Sequence, residues 1–232
     1  MKNGSGVEAG RLGATWGDAQ AASPDLGAAN LSVAKRALDL LIAIPASILL
    51  APLMLLIMLL VRVSSRGPSL FSQRRVGLHG RTFICHKFRT MHVDADKRLD
   101  QLLGSDPAAA AEWAKFQKLR NDPRTTWIGR LLRKSSLDEL PQLFNVLRGE
   151  MSIVGPRPIT SGEIHRYGTF YAYYAAVRPG VVGLWQVNGR NRLNYDQRVA
   201  YDVEYVRSWT IMSDVRILAR AVPVVLFGSG AY

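Results

Sequence analysis

The stretch KRALDLLIAIPASILLAPLMLLIMLLVR, residues 35–62, decides what kind of protein this is. From Leu40 to Val61 there are 22 residues without a charge. As one helix they would extend ~33 Å, enough to span the hydrocarbon core of a bilayer. Two features argue against a simple spanning helix. Pro45 and Pro52 interrupt the run, Pro52 near its centre. A proline removes a backbone hydrogen bond and clashes with the preceding turn, so a kink is expected there. Lys35 and Arg36 flank one end, Arg62 and Arg66 the other. Positive flanks stay on the cytoplasmic side. Both ends on one side predict a re-entrant segment that enters the membrane, bends near Pro52 and leaves again. A kinked spanning helix is the competing reading. Asp39 lies within a turn of Lys35 and Arg36, where it can be paired at the interface.

On either side the composition changes. Residues 1–34 are rich in Ala, Gly and Ser and read as a disordered tail. The apolar run starts too deep in the chain for a signal peptide. The whole chain of 232 residues carries a net charge of +12, from 23 Arg and 7 Lys against 18 acidic residues. The charge is concentrated: residues 62–134 hold 16 basic and 6 acidic residues. A basic block directly after an apolar segment points to anionic lipid or a polyanionic substrate, with nucleic acid as the competing partner. Cys85 is the single cysteine, which excludes an internal disulfide. His79, His86, His92 and His165 show no zinc-ligand spacing.

Downstream, residues 69–90 read as a hairpin of two β-prone runs around a Gly77–Gly80 turn. Residues 94–120 look helical with a break near Asp106-Pro107. In the second piece Trp113, Phe116 and Leu119 recur at spacing three among Lys115, Lys118 and Arg120. That pattern suits a membrane surface or a helix packed on the core with a solvated basic face. SIVGPRP (152–158) reads as an extended exit, RPGVVGLWQVNGRN (178–191) as a turn, a short strand and a second turn. Residues 195–209 and 213–227 read as helices, the second with a Ser213 N-cap and Asp214. The fold class is α+β and mainly helical. A membrane segment, residues 35–66, precedes a small α/β domain, residues 67–232, with a β-hairpin and amphipathic surface helices.

KSSLDELPQ, residues 134–142, sets Asp138 beside Glu139 in this basic chain. Ser136-x-x-Glu139 has the form of a capping box, and Asp138 would complement a helix dipole in the first turn. The same residues are candidates for chemistry. The helix they would open carries Leu140, Leu143, Phe144 and Leu147 on one face.

Several long motifs in one order resemble the bacterial sugar transferases, and within them the monotopic polyprenyl-phosphate phosphoglycosyl transferases. They are KRxxD before the apolar run, FSQRRVG, KFRTM, LRKSSLDELPQLFNVLRGEMSIVGPRP, VRPGVVGLWQVNGRN and the downstream SD at 213–214. The resemblance spans about residues 33–232 and looks closest to the transferases that initiate exopolysaccharide synthesis with galactose phosphate or glucose phosphate. It implies transfer of a sugar-1-phosphate from a UDP-sugar to undecaprenyl phosphate with release of UMP. The enzyme would sit at the bacterial inner membrane, its catalytic domain on the cytoplasmic face, with anionic lipid as a contact and no nucleic-acid partner. Self-association is left open. One departure is Ala51-Pro52 where the family usually has Ser-Pro; alanine has no hydroxyl to satisfy backbone groups freed at a kink.

By resemblance, Asp138 and Glu139 form the catalytic dyad, with Asp138 as nucleophile and both as candidate ligands of Mg²⁺. Arg133 and Arg157 would contact substrate phosphates, with Arg190 a weaker candidate and ion pairing the alternative. Lys87 and Arg89 would meet phosphate or lipid headgroups, or simply line a solvated strand. Trp185 would stack on uracil or be buried in a short strand. Asp214 matches a recurrent family acid whose role the sequence leaves open. Lys35, Arg36 and Pro52 would anchor and break the membrane helix. A membrane-tethered nucleic-acid-binding module and a non-catalytic scaffold are the alternative functions.

Overall fold

The computed structural model describes residues 32–116, 119, 122–189 and 193–227. The expected tail, apart from residues 32–34, lies outside them, as do Arg190, Lys118 and Arg120. The α+β, mainly helical class holds.

The apolar run forms one long helix, α1 (Val33–Ser64), opened by Ser32, whose hydroxyl accepts from the Lys35 amide at 3.2 Å. Its 32 residues correspond to ~48 Å. The break expected at Pro52 is absent: the helix runs through both prolines. Pro45 and Pro52 are seven residues apart and both exposed, so each lies on the outer side of α1. Carbonyls that lose their partner to a proline are there on the side facing away from the protein, where curvature around a core is convex.

The inner side of α1 is continuous. Ala43 joins the main core with Val76, Phe83, Val146, Val154 and Tyr174. Met54, Ile57 and Val61 form a second cluster with Phe88, Ile128 and Leu132. The opposite side exposes Leu41, Ile48, Leu49, Leu55, Leu59 and Val63.

The hairpin is as the sequence predicts: β1 (Leu70–Val76) pairs antiparallel with β2 (Thr82–Phe88) around a 3₁₀ turn at Leu78–Gly80. The helical region then divides at Asp106-Pro107 into α2 (Ala95–Ser105) and α3 (Pro107–Phe116). Trp113 on α3 lies under the Arg124 guanidinium at 4.7 Å. The clearest apolar and basic outer face belongs to α4 (Trp127–Ser135), which exposes Trp127 and Leu131 beside Arg130 and Lys134.

After α4 comes a short 3₁₀ turn, Leu137–Glu139, then α5 (Gln142–Arg148). β3 (Ser152–Val154) pairs in parallel with β4 (Gly180–Val182), and the crossover carries 3₁₀ turns and α6 (Tyr171–Ala175). Two close approaches fix this sheet. A Cβ on Gly180 would sit 2.1 Å from the Gly155 amide nitrogen, so neither strand exit tolerates a side chain there. The second expected turn of the 178–191 segment is instead a helix, α7 (Leu184–Asn188). Asn194 and Gln197 cap α8 (Tyr195–Arg207). The last helix, α9 (Ile211–Phe227), starts earlier than Ser213; Thr210 accepts from the Ser213 amide at 3.0 Å and is the cap.

A buried polar cluster ties these elements together. Lys35 is 7% exposed and lies inside the protein, not among lipid headgroups. Its ammonium sits 2.7 Å from Asp214 and 3.4 Å from Asp39, and donates to the Val154 carbonyl at 3.0 Å. Asp39 accepts from Ser152 Oγ at 2.8 Å and the Ile153 amide at 3.0 Å. Asp214 is within 3.0 Å of the Tyr205 hydroxyl and accepts from Trp209 Nε1 at 3.2 Å. Arg36 donates to the Val146 and Leu147 carbonyls at the end of α5. Asp39 is therefore paired inside the domain, and Asp214 has a structural role. The membrane-anchor assignment of Lys35 and Arg36 is corrected: burial of α1 against β3 and α5 turns both inward.

Removing one partner from a buried ion pair strands the other charge and costs ~3–5 kcal/mol. Lys35→Met is expected to lower the thermal midpoint sharply in detergent. Lys35→Met combined with Asp39→Asn and Asp214→Asn should recover much of that loss. Thermal melts of the single and triple variants check both expectations.

Candidate active site

The dyad sits at a corner. Ser136 ends α4 in the left-handed conformation, φ 58°, which turns the chain directly into the 3₁₀ turn that carries Asp138 and Glu139. This corrects the capping-box reading. Ser136 makes no side-chain cap bond, and α5 begins only at Gln142 after Pro141. The buried side of α5 is Gln142, Leu143, Asn145 and Val146, while Phe144 is 46% exposed. Of the four residues expected on one apolar face, Leu143 is in the core and Leu147 and Leu140 pack against the two clusters from partly buried positions; only Phe144 departs from it.

Asn145, fully buried, brings the hairpin to this corner. Its amide donates to the Ile84 carbonyl at 2.7 Å and to Glu150, and its carbonyl accepts from the His86 amide at 3.2 Å. β2 is thereby held so that Lys87 reaches Glu139, 2.5 Å between Nζ and Oε1. Lys87 is thus paired to the dyad. Arg89, two residues on, is buried and donates to the Ser65 carbonyl, which takes it away from any headgroup.

On the other side Arg133 donates through Nε to Thr90 Oγ1 at 2.9 Å. Thr90 is placed by a contact that only glycine permits. A Cβ on Gly129 would lie 2.0 Å from the Thr90 carbonyl oxygen, and the Thr126 amide donates to that oxygen at 3.0 Å. Arg133 and Lys87 thus bracket Asp138 and Glu139.

Burial pushes the Asp138 carboxyl up to about 6, and the neighbouring Glu139 charge adds to this; Lys87 and Arg133 oppose it. Asp138 is therefore ionised at neutral pH but more basic than an ordinary aspartate, and a more basic oxygen is a better nucleophile.

A narrow cleft runs from Glu139 past Cys85, Lys87, Gln142 and Gln186 to Arg157. Arg157 is exposed and makes no hydrogen bond or ion pair among the described residues. Arg75 fixes the segment that carries it, donating to the Pro158 carbonyl at 3.0 Å. Trp185 is 4% exposed, with Arg198 4.7 Å and Arg157 5.9 Å from its ring centre. That burial removes it as a face for uracil. The structure therefore places Glu139, Lys87 and Arg157 in one cleft, with Asp138 next to Glu139 and near enough to Lys87 and Arg133 for their charges to act on it. It takes Lys35, Arg36, Arg89 and Asp214 into structural roles.

No group of three or more His, Cys, Asp or Glu side chains able to hold a metal occurs among the described residues. Asp138 and Glu139 are two adjacent carboxylates next to a cationic cleft. Mg²⁺ is commonly held by one or two carboxylates, with water and substrate phosphates completing its shell, so this pair fits that ion. Thr90, Asn145 and Gln142 were not legible as site residues. Their signal is polarity on a buried face, which spacing alone does not separate from a solvated position.

A cleft lined by cations, next to a basic carboxylate and a long helix with one apolar side outward, defines an enzyme for anionic substrates at an apolar surface. The chain belongs to the bacterial sugar transferase family, which it matches over residues 30–228. It is 48% identical over 200 residues to the exopolysaccharide production protein ExoY of Sinorhizobium fredii, covering 86% of this chain and 88% of that one. It is 50% identical over 198 residues to the undecaprenyl-phosphate galactose phosphotransferase of Salmonella typhimurium, covering 85% of this chain but 41% of that one. The UDP-glucose:undecaprenyl-phosphate glucose-1-phosphate transferase of Caulobacter vibrioides is 42% identical over 206 residues, with 85% and 72% covered.

The raised proton affinity of Asp138 has a stability consequence with a definite sign. Native Asp138 holds its proton up to about pH 6, whereas an unfolded aspartate loses it near 3.8. Ionisation therefore destabilises the native state as pH rises across that window. Asp138→Asn should melt higher than wild type at pH 7–8, by roughly 2–3 kcal/mol at most. The gain should vanish below about pH 4. Melting curves from pH 4 to 8 check it.

Proposed function

We propose that this protein transfers a sugar-1-phosphate, galactose phosphate or glucose phosphate, from a UDP-sugar to undecaprenyl phosphate and releases UMP. This would be the first membrane step of exopolysaccharide synthesis. The observation that carries the reading is Asp138: a carboxylate made basic by burial, opposed by the charges of Lys87 and Arg133, and adjacent to Glu139, which lines a cationic cleft. Both named substrate activities belong to relatives that match 85% of this chain.

An ionised Asp138 oxygen attacks the sugar-bearing β-phosphorus of the donor. The bond from that phosphorus to the bridging oxygen breaks, and its electron pair leaves with UMP. An acyl-phosphate sugar remains on Asp138. A phosphate oxygen of undecaprenyl phosphate then attacks the same phosphorus, and Asp138 departs as carboxylate. The two anionic substrates use one site in turn. Lys87 orients Glu139, and Arg133, fixed by Thr90, faces the phosphorus being transferred. Arg157 has no hydrogen bond or ion pair among the described residues to give up before binding a phosphate. Mg²⁺ held by Asp138 and Glu139 would neutralise charge on the donor diphosphate.

The arrangement of α1 supports a same-side membrane topology on the cytoplasmic leaflet. Lys35 and Arg36 at one end, and Val61 and Ser65 at the other, hold the same folded domain. Two ends fixed to one domain keep the unbroken α1 along one face of the bilayer. The exposed apolar side of α1, with Trp127 and Leu131 of α4 beside the basic Arg130 and Lys134, suits an anionic lipid surface. The basic block of residues 62–134, which suggested nucleic acid, is partly internal: Arg75, Lys87, Arg89 and Arg133 all have protein partners.

With Mg²⁺, undecaprenyl phosphate and a panel of UDP-sugars, UMP is the expected product; UDP would mean direct glycosyl transfer. Asp138→Asn should release no UMP even in excess metal, and chelation should stop the wild type until Mg²⁺ is restored. Quenching before acceptor is added should leave a sugar phosphate on Asp138, read by mass. The acid limb of kcat/KM is expected near pH 6. It should move higher in Lys87→Met, because the ammonium that opposes protonation is gone. Cysteine labelling before residue 35 and after residue 66 should report the same membrane face.

A further inference from the structure

Gln142 has no role in the chemistry above, yet its position is unusual for an amide. It is 2% exposed, opens α5 and lines the cleft between Glu139 and Arg157. Its side chain makes no hydrogen bond within the described residues, although Asn145 on the same buried side satisfies its own amide through Ile84, Glu150 and His86. A side-chain amide carries two donors and an acceptor, and burying it unpaired is unfavourable. A fold that holds one at the wall of a substrate cleft has left its hydrogen bonds for the substrate.

We propose that Gln142 reads a hydroxyl group of the donor sugar. This rests on the donor being a UDP-sugar attacked by Asp138, and it adds a specificity residue to that reading. Two arguments select the sugar. Phosphate oxygens only accept hydrogen bonds, so a phosphate partner would leave the Gln142 carbonyl facing an anion. A hydroxyl both donates and accepts, as the amide requires. The cleft already offers phosphates Arg157, which suits them better. Gln142 also lines the same cleft as Glu139, the direct neighbour of Asp138. The sugar is bonded to the very phosphorus that Asp138 attacks, so it lies near that pair, whereas the uracil is separated by a second phosphate and a ribose.

The test uses the full chain in detergent and the variant Gln142→Met, an unbranched side chain of similar size without the amide. Binding of UDP-galactose, UDP-glucose and UDP is measured by calorimetry, with UMP release and melting temperature alongside. The variant is expected to bind at least one UDP-sugar ~10–100-fold more weakly. UDP affinity should change less than ~2-fold, since UDP lacks the sugar. Melting temperature should stay level or rise, because an unpaired buried amide has been removed. Unchanged affinity for both UDP-sugars overturns the proposal, as does an equal loss for UDP. A lower melting temperature or a failure to fold also overturns it, by making the amide structural. A wild type that binds a UDP-sugar through Gln142 but releases no UMP would sink the transfer chemistry and leave this subsite standing. A wild type that binds neither sugar nucleotide ends both.

Discussion

One lysine buried between two aspartates holds the apolar helix to the rest of the molecule. Lys35 enters the core with its charge, and that charge is tolerable only because Asp39 and Asp214 meet it there. The three side chains carry a net negative charge. Ser152, the Ile153 amide, Tyr205 and Trp209 supply the donors that neutralise the excess. Those donors come from three parts of the fold: β3, α8 and the segment leading into α9. The cluster therefore sets the position of α1 relative to the strand pair and to the C-terminal helix at once. A purely apolar contact would permit α1 to slide or rotate by a turn. A buried charge network with fixed hydrogen-bond directions does not.

That placement reaches the active site through short steps. α1 packs on α5 through Ala43 and Val146, and Arg36 grips the carbonyls at the end of α5. α5 carries Asn145, which holds β2, and β2 carries Lys87 to Glu139. Farther along, Ile57 and Val61 pack against Ile128 and Leu132 of α4, whose last turn holds Arg133 and whose end turns at Ser136 into the dyad. The helix that provides the apolar outer surface thus also carries, on its inner side, the supports for both flanks of the carboxylate pair.

Much of the fold was legible as local pattern. The hairpin followed from two β-prone runs around Gly77 and Gly80, and the helix division from Asp106-Pro107. The dyad and its arginines stood out through the long motif they share with a known family. The failures have a common cause. Capping geometry at Ser136 depends on a left-handed turn that Ser-x-x-Glu does not reveal. Phe144 was placed on the apolar face of α5, but Gln142, Leu143, Asn145 and Val146 form the buried side and Phe144 lies opposite them. Lys35 and Arg36 were placed at lipid headgroups because flanking charge is normally solvated. Nothing local announces that Asp214, nearly 180 residues away, will pair with Lys35.

The sequence by itself determined that this chain has one long uncharged apolar helix, a basic region after it, and adjacent carboxylates in the motif of a bacterial sugar transferase. Those are properties of composition, periodicity and spacing. Only the tertiary structure decided which cations are free for a substrate. Lys35, Arg36 and Arg89 have internal partners, Lys87 is paired to the dyad, and Arg157 stands open at the cleft. The physical reason is that a charge's availability depends on what lies within a few ångströms of it, and those neighbours come from distant parts of the chain.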